Sequence, residues 1–418
     1  MRILSLLLLW PLSVALGAAA SPMFRVESEM NIFEQDSGPW TGGHAATIVQ
    51  TTDGTIIAAW RRDNDRVPNN EAWMSTFQEG RWTLPRIIAT GSESGDDYTL
   101  ENPVLFQPKN GPLMLFYYTG LRPGFDRKNI HDKHGNMWGA LKTSTDNGVT
   151  WSAPRALGND ERIAGGKLCG PAKNPPIQLP NGAILIPSGN EPGLMKEGGG
   201  RLSHPVFDKL TWHFEKSTDM GRTWSLVQVL PANKTYKSIQ PGFLVLGNGM
   251  LIALGRNEGK GSDTPMATSD DWGATWSEIT GLAALPQSHS GIAPLTLRDG
   301  THICIVNTPV PNAPPRDQLD LMVSTNGLDW KLGLNLNPAN DGKVANYPQV
   351  IQAADGRLHI VFTYANQMNE QTWRERVIRH VVLTSGLDSR HPSPEASPAS
   401  TPRSGPNRDQ RKYVHGAQ

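Results

Sequence analysis

Cysteine is almost missing from this chain: Cys169 and Cys304 are the only two among 418 residues. Two thiols close at most one disulfide, which excludes a disulfide framework and a cysteine-based metal centre and leaves open whether they pair. An excess of one charge is missing as well, because 39 basic and 39 acidic residues cancel to a formal net charge of +0. The overall balance therefore gives no footing for nucleic acid or an anionic membrane. Long apolar runs are missing after the first twenty residues, and there the run is short. Arg2, the stretch ILSLLLLWPLSVAL and the small residues AAAS near Ala20 read as a secretory signal over residues 1–20, not as a membrane span. A secreted, extracellular protein is expected, and the acceptor pattern Asn233-Lys234-Thr235 is consistent with that. Large apolar side chains are also nearly missing from the Pro/Ser-rich residues 389–418. That tail cannot bury enough surface to fold and is expected to be disordered, which leaves residues 21–388 as the folded domain.

What the chain has in abundance is turn-formers and tryptophan, with 42 Gly, 33 Pro and 13 Trp. STDNGVTW at 144–151 returns as STDMGRTW at 217–224, as SDDWGATW at 269–276 and, shortened, as STNGLDW at 324–330. STFQEGRW at 75–82 is a worn copy. Ser and Asp bind backbone N–H groups in turns, Gly permits positive φ, and the Trp gives each turn an apolar plug. Asp-Gly or Asn-Gly hairpin signals alternate with these turns, at Gly54, Gly111, Gly182, Gly249, Gly300 and Gly356, each between strand-like runs. Two hairpin turns per unit make a four-stranded blade, and six units predict an all-β, six-bladed β-propeller. The octapeptide is then a joint between outer strands that performs no chemistry. Metal loops need several carboxylates at alternate positions, so no metal is expected, and no organic cofactor is indicated.

Radial symmetry would gather equivalent positions round one mouth. Counting back eight to ten residues from each hairpin Gly gives His44, Asn102, Asn174, Gln240, Ser290 and Tyr347. Seven residues after the hairpin Gly stand Arg61 and Arg256, with Arg62 beside the first, and Arg316 precedes the strand LDLMVS. Guanidinium forks match carboxylates in bidentate geometry, so several at one mouth point to an anionic ligand, most simply an acidic sugar.

Ser-x-Asp-x-Gly-x-Thr-Trp repeats on a blade pattern resemble the Asp-box (BNR) repeats of the sialidase superfamily, over about residues 40–385. The resemblance implies that Arg256 and Arg316 match two of three arginines that hold the sugar carboxylate, and that Tyr347 stands where the family nucleophile opens the last blade. It also implies departures. His44 lies in GHAAT where the family has Arg-Ile-Pro, and Gln240 falls near the Glu that activates the tyrosine. For the acid/base Asp, RRDNDRVPNNEAW offers Asp63, Asp65, Asn69 and Glu71, with Asp63 first among them. Glu191 is the replacement expected to activate Tyr347.

Three functions follow, all on an acidic glycan or polysaccharide. The first is a sialidase-type glycoside hydrolase using Tyr347, Glu191 and Asp63, with Arg256, Arg316, Arg61, Arg62, Gln240, Asn102, Asn174 and Ser290 around the sugar. The second is a uronate-directed lyase or atypical glycosidase in which His44 and Tyr347 share proton transfer, as in the similar His/Tyr/Arg set of some propeller lyases. The third is a non-catalytic glycan-binding propeller stacking sugars on Trp138, Tyr117, Tyr118 and Trp373.

Overall fold

The structure is a computed structural model that describes residues 23–62, 70–95, 98–121, 137–162, 167–190, 211–231, 236–339, 342–366 and 375–386. The expected signal, the tail, Asn233, Asp63, Asp65, Asn69, Glu191 and Trp373 lie outside those residues.

Six antiparallel sheets follow one another along the chain as the six blades of a propeller. The inner strands are Gly43–Gln50, Tyr98–Phe106, Ile177–Gln178, Ser238–Gly247, Ala293–Thr296 and Lys343–Gln352. Each passes through its hairpin to a second strand such as Ile56–Arg62, Met250–Asn257 or Leu358–Asn366. At Gly54, Gly182, Gly300 and Gly356 the backbone turns at φ between 87° and 91°, a conformation glycine adopts without steric cost. Second strands are covered by neighbouring blades on both faces, which explains why IIAAW and LIAL are continuous apolar runs.

Core residues collect between facing blades in six clusters. Trp212 and Phe214 pack against Phe243 and Ala253 between the third and fourth blades, and Ile57 and Met74 against Leu105 and Leu115 between the first and second. Trp60 and Trp212 are fully buried, so truncating either to Ala is expected to cost about 3–5 kcal/mol.

The repeated octapeptide is the outer turn of its blade. Ser217 Oγ accepts the Gly221 N–H at 2.8 Å and donates to Asp219. Asp219 in turn accepts the Thr223 N–H at 2.9 Å and its hydroxyl at 2.6 Å, and Trp224 Nε1 donates to the Gly221 carbonyl at 3.1 Å. Chiefly through the Thr223 hydroxyl, these donors hold the Asp219 carboxyl down to about 2. Ser269, Asp271, Thr275 and Trp276 repeat the pattern. The carboxylates are occupied by their own turns, and among the described residues no cluster of His, Cys, Asp and Glu could hold a metal ion.

The ring closes by strand exchange between distant parts of the chain. Phe24–Asn31 runs antiparallel to Val377–Ser385, with Phe24 opposite Ser385, as the outermost strand of the sixth blade. Where that blade meets the first, Trp82 Nε1 donates to His380 Nδ1 at 3.2 Å, and His380 Nε2 meets His359 Nδ1 at 3.0 Å. The indole has only a proton to give, so His380 carries its own on Nε2 and passes it toward His359. No disulfide joins the two cysteines, and Cys304 is buried.

Candidate active site

Four inner strands carry the same irregularity. Register slips between His44 and Thr47, Glu101 and Val104, Ile239 and Gly242, and Asn346 and Gln349. Each slip is a β-bulge with one left-handed residue: Ala45 (φ 52°), Asn102 (45°), Gln240 (55°) and Tyr347 (53°). A bulge re-aims a side chain that the pleat would otherwise direct elsewhere. All four stand nine residues before the hairpin Gly, and the same count reaches Lys173 and Gly291 in the third and fifth blades. This corrects the expected ring of equivalents, because His44, Asn174 and Ser290 are each one place off that count, and for His44, on the strand Gly43–Gln50, one place changes the face.

Tyr347 is the centre of the cluster. Its hydroxyl accepts from Arg256 Nη1 at 2.8 Å, and Gln240 Nε2 lies 3.5 Å away. The guanidinium carbons of Arg256 and Arg316 are each 5.9 Å from the tyrosine ring centre. The His44 ring packs on the same ring with centroids 4.4 Å apart. Arg256 is oriented by Glu258, whose Oε1 is 2.5 Å from its Nε, and Arg316 donates to the His289 carbonyl at 3.0 Å. Tyr347, His44, Arg256, Arg316 and Gln240 therefore meet at one place, although they come from blades one, four, five and six.

His44 is buried, and burial is the main reason its proton affinity falls well below the usual imidazole range. Positive charge lowers it further, in the order Arg376, Arg61, Arg316, Arg256. The ring is neutral at neutral pH, with Nδ1 3.1 Å from the Thr363 hydroxyl. Arg376 is the residue that sequence reasoning missed. It precedes the strand Val377–Ser385, outside both counting schemes, and only the sixth blade's closure brings it beside His44.

Other expected residues go elsewhere. Arg61 faces the His44 side and is ion-paired with Glu101. Arg62, its neighbour on an alternating strand, is paired with Glu71 at 3.5 Å, and Glu71 also accepts the Trp73 indole N–H at 2.9 Å. Asn102 donates to the Ala172 carbonyl at 2.9 Å, and Asn174 donates to the carbonyls of Gln240 and Pro241 at 3.1 Å, so both tie blades together. The Ser290 side chain is buried, with no hydrogen-bond partner for its hydroxyl among the described residues. Tyr117 is in the core, Tyr118 donates to the Gly189 carbonyl at 3.2 Å, and Lys167 caps the Trp138 ring at 3.8 Å. Asp63 and Glu191 lie outside the described residues.

A model of the BNR repeat-like domain matches residues 54–360. The chain belongs to the BNR repeat-like family. Several solved structures share the propeller of this family member. A protein of unknown function from Dyadobacter fermentans superposes with a TM-score of 0.68 at 18% identity, over 87% of this chain and 100% of that one. The NanB sialidase of Streptococcus pneumoniae gives 0.60 at 12% identity, over 85% of this chain and 70% of that one. A Trypanosoma rangeli sialidase gives 0.60 at 15%, over 86% of this chain but 58% of its own length. No curated protein matches the sequence. The likeness is one of fold: this BNR repeat-like protein is a divergent, sialidase-like propeller.

One further buried group in the propeller imitates a catalytic triad without being one. Ser188 Oγ lies 2.9 Å from His213 Nε2, and Glu215 Oε1 lies 3.0 Å from that same nitrogen. A relay needs the two partners on opposite ring nitrogens. Glu215 also accepts the N–H groups of Cys169 at 2.8 Å and Gly170 at 3.0 Å, so the group pins the chain entering the third blade.

Proposed function

We propose that this propeller is a glycoside hydrolase of sialidase type that acts on a terminal carboxylated sugar, with Tyr347 as its nucleophile. The observation that carries the reading is the Tyr347 hydroxyl, bonded by Arg256 at 2.8 Å while the neutral His44 ring packs on the same tyrosine. The sugar carboxylate would lie against Arg256, Arg316 and Arg376. Arg256, hydrogen-bonded to Tyr347 and ion-paired with Glu258, then spans the anion site and the reacting group.

A phenol attacks beside a carboxylate without the repulsion that a carboxylate nucleophile meets. Its oxygen bonds the anomeric carbon as the bond to the leaving oxygen breaks. His44 accepts the phenol proton, and the Arg256 N–H stabilises the charge developing on the tyrosine oxygen. An acid protonates the leaving oxygen, and Asp63 is the proposed donor. Water then attacks the anomeric carbon, the tyrosine is released and regains its proton, and the net change is addition of one water. Glu191 is the proposed second aid to Tyr347. Secretion directed by residues 1–20 would place this activity outside the cell.

A second reading is favoured by Gln240, which stands 3.5 Å from the Tyr347 hydroxyl and cannot act as a base. On a uronate, His44 would take the C5 proton while the guanidiniums neutralise the carboxylate. The C4–O bond then breaks, a C4=C5 double bond forms, and Tyr347 gives its proton to the leaving oxygen.

Incubation with sialyl and glucuronyl glycosides, read by product mass and ultraviolet absorbance, separates these readings. A saturated reducing sugar with one water added supports hydrolysis, and an unsaturated product supports elimination. Binding without turnover of either would overturn both in favour of a glycan-binding propeller.

A further inference from the structure

Lys173 holds in the third blade the place that Tyr347 holds in the sixth, nine residues ahead of the hairpin Gly. Its side chain does not stay with its own blade. The ammonium donates to the Pro348 carbonyl at 2.6 Å and to the Ile292 carbonyl at 2.9 Å, with Asn174 Oδ1 at 3.4 Å. It thereby joins blade three to blades five and six across the axis. The fifth blade makes room for it: Gly291 is the equivalent residue there, and a Cβ on it would sit 2.6 Å from Lys173 Cε. Gln349 completes the knot, donating to the Lys173 carbonyl at 3.1 Å and to Asn174 Oδ1 at 3.0 Å.

Tyr347 needs such a hold. Its φ of 53° is uncommon for any residue other than glycine, and conformations of this kind cost about 1–3 kcal/mol and persist only where the surroundings enforce them. The following Pro348 adds a restriction, because a residue before proline favours extended backbone. Whatever grips the Pro348 carbonyl therefore sets the aim of the Tyr347 ring. Amide side chains would suffice for a plain staple, as Asn174 and Gln349 show beside it.

We infer that Lys173 is a positioning residue for Tyr347, its ammonium gripping the Pro348 carbonyl across the axis so that the left-handed tyrosine points its hydroxyl at Arg256. The consequence for turnover rests on the proposed role of Tyr347, whereas the positional coupling does not. Burial and, to a lesser degree, Arg256 lower the Lys173 proton affinity to about 7, against an opposing influence from Cys304. Loss of that proton leaves a neutral amine with fewer and weaker donors, so the grip slackens as pH rises through this value. The charged and titratable groups facing Lys173 are the Arg256 guanidinium and the Cys304 thiol, which burial holds up at about 12, while His44 beside Tyr347 is already neutral.

The test is tyrosine labelled with carbon-13 at Cζ, followed by nuclear magnetic resonance in the full chain without ligand. The Tyr347 signal is assigned by its loss in Tyr347→Phe. It is expected to move as pH crosses about 7 in the native protein, to be displaced in Lys173→Met, and to lose its titration there. Lys173→Gln, which keeps a neutral amide donor group, should give an intermediate displacement without titration, and serves if the Met variant does not fold. A Tyr347 signal identical in the native protein and Lys173→Gln from pH 5 to pH 9 would overturn the inference. Where a turned-over glycoside is in hand, Lys173→Gln should lower kcat about 10²-fold with KM nearly unchanged. Absence of turnover with the coupling intact would count against the proposed function alone.

Discussion

Arg256 Nη1 and the Tyr347 hydroxyl lie 2.8 Å apart, joining residues 91 positions apart in sequence and two blades apart in the ring. The same guanidinium is held from behind by Glu258, so its plane is set before any ligand arrives.

Arg256→Lys keeps the charge and loses the planar fork that reaches Glu258 and Tyr347 together. Loss of a preorganised donor at a reacting oxygen costs roughly 10²–10³ in kcat. Steady-state kinetics on whichever carboxylated glycoside is turned over should show that loss. A change below about threefold would separate Arg256 from the chemistry.

Arg376→Ala should act on ligand binding. If Arg376 meets the carboxylate, calorimetry with a sugar acid should show a weakening of about 10–100-fold, in line with about 1.5–3 kcal/mol for a charge-assisted bond. The methyl ester of the same sugar should bind the native protein and the variant almost equally. Equal weakening for acid and ester would place Arg376 in the scaffold only.

The propeller was legible in the sequence because its turns are built from local chemistry. Ser217, Asp219, Gly221 and Trp224 satisfy one another within eight residues, and such a motif survives in a string. Tyr347, Arg256 and Arg316 were legible for a related reason, since a regular repeat fixes the end of each strand. The choice by residue type blurred the rest. It picked Asn174 and Ser290, whereas nine residues before the hairpin Gly stand Lys173 and Gly291. Arg376 had no repeat partner to reveal it, and it reaches the mouth only through the way the last blade closes.

Acid should destabilise the native state through its histidines. Burial lowers His359 to about 4 and His380 to about 3, and His44 also lies well below 6.5. Below about 6.5 the unfolded chain binds protons that the native chain does not, so stability is complete above that pH and falls as pH decreases toward 4. For His359 and His380 the loss at pH 4 is on the order of 3 kcal/mol each. Urea unfolding at several pH values should show this slope, and His359→Leu should flatten it. An unchanged slope in that variant would show that His359 is not among the groups responsible.

Asp219→Ala separates scaffold from site. The carboxylate serves Thr223 and Ser217 in an outer turn, so its loss should lower stability by about 1–2 kcal/mol through several weakened hydrogen bonds. Turnover per folded molecule should be unchanged. A drop in kcat with stability intact would give the octapeptide a role in chemistry after all.

The exchange of Phe24–Asn31 into the last sheet sets an order of assembly. A ribosome makes that strand before the other described strands, yet its seat is built from the last of them, Val377–Ser385. Tyr347 and Arg376 belong to the blade completed by this late meeting of early and late chain. A nascent protein can therefore possess five finished blades and still lack the cluster around Tyr347.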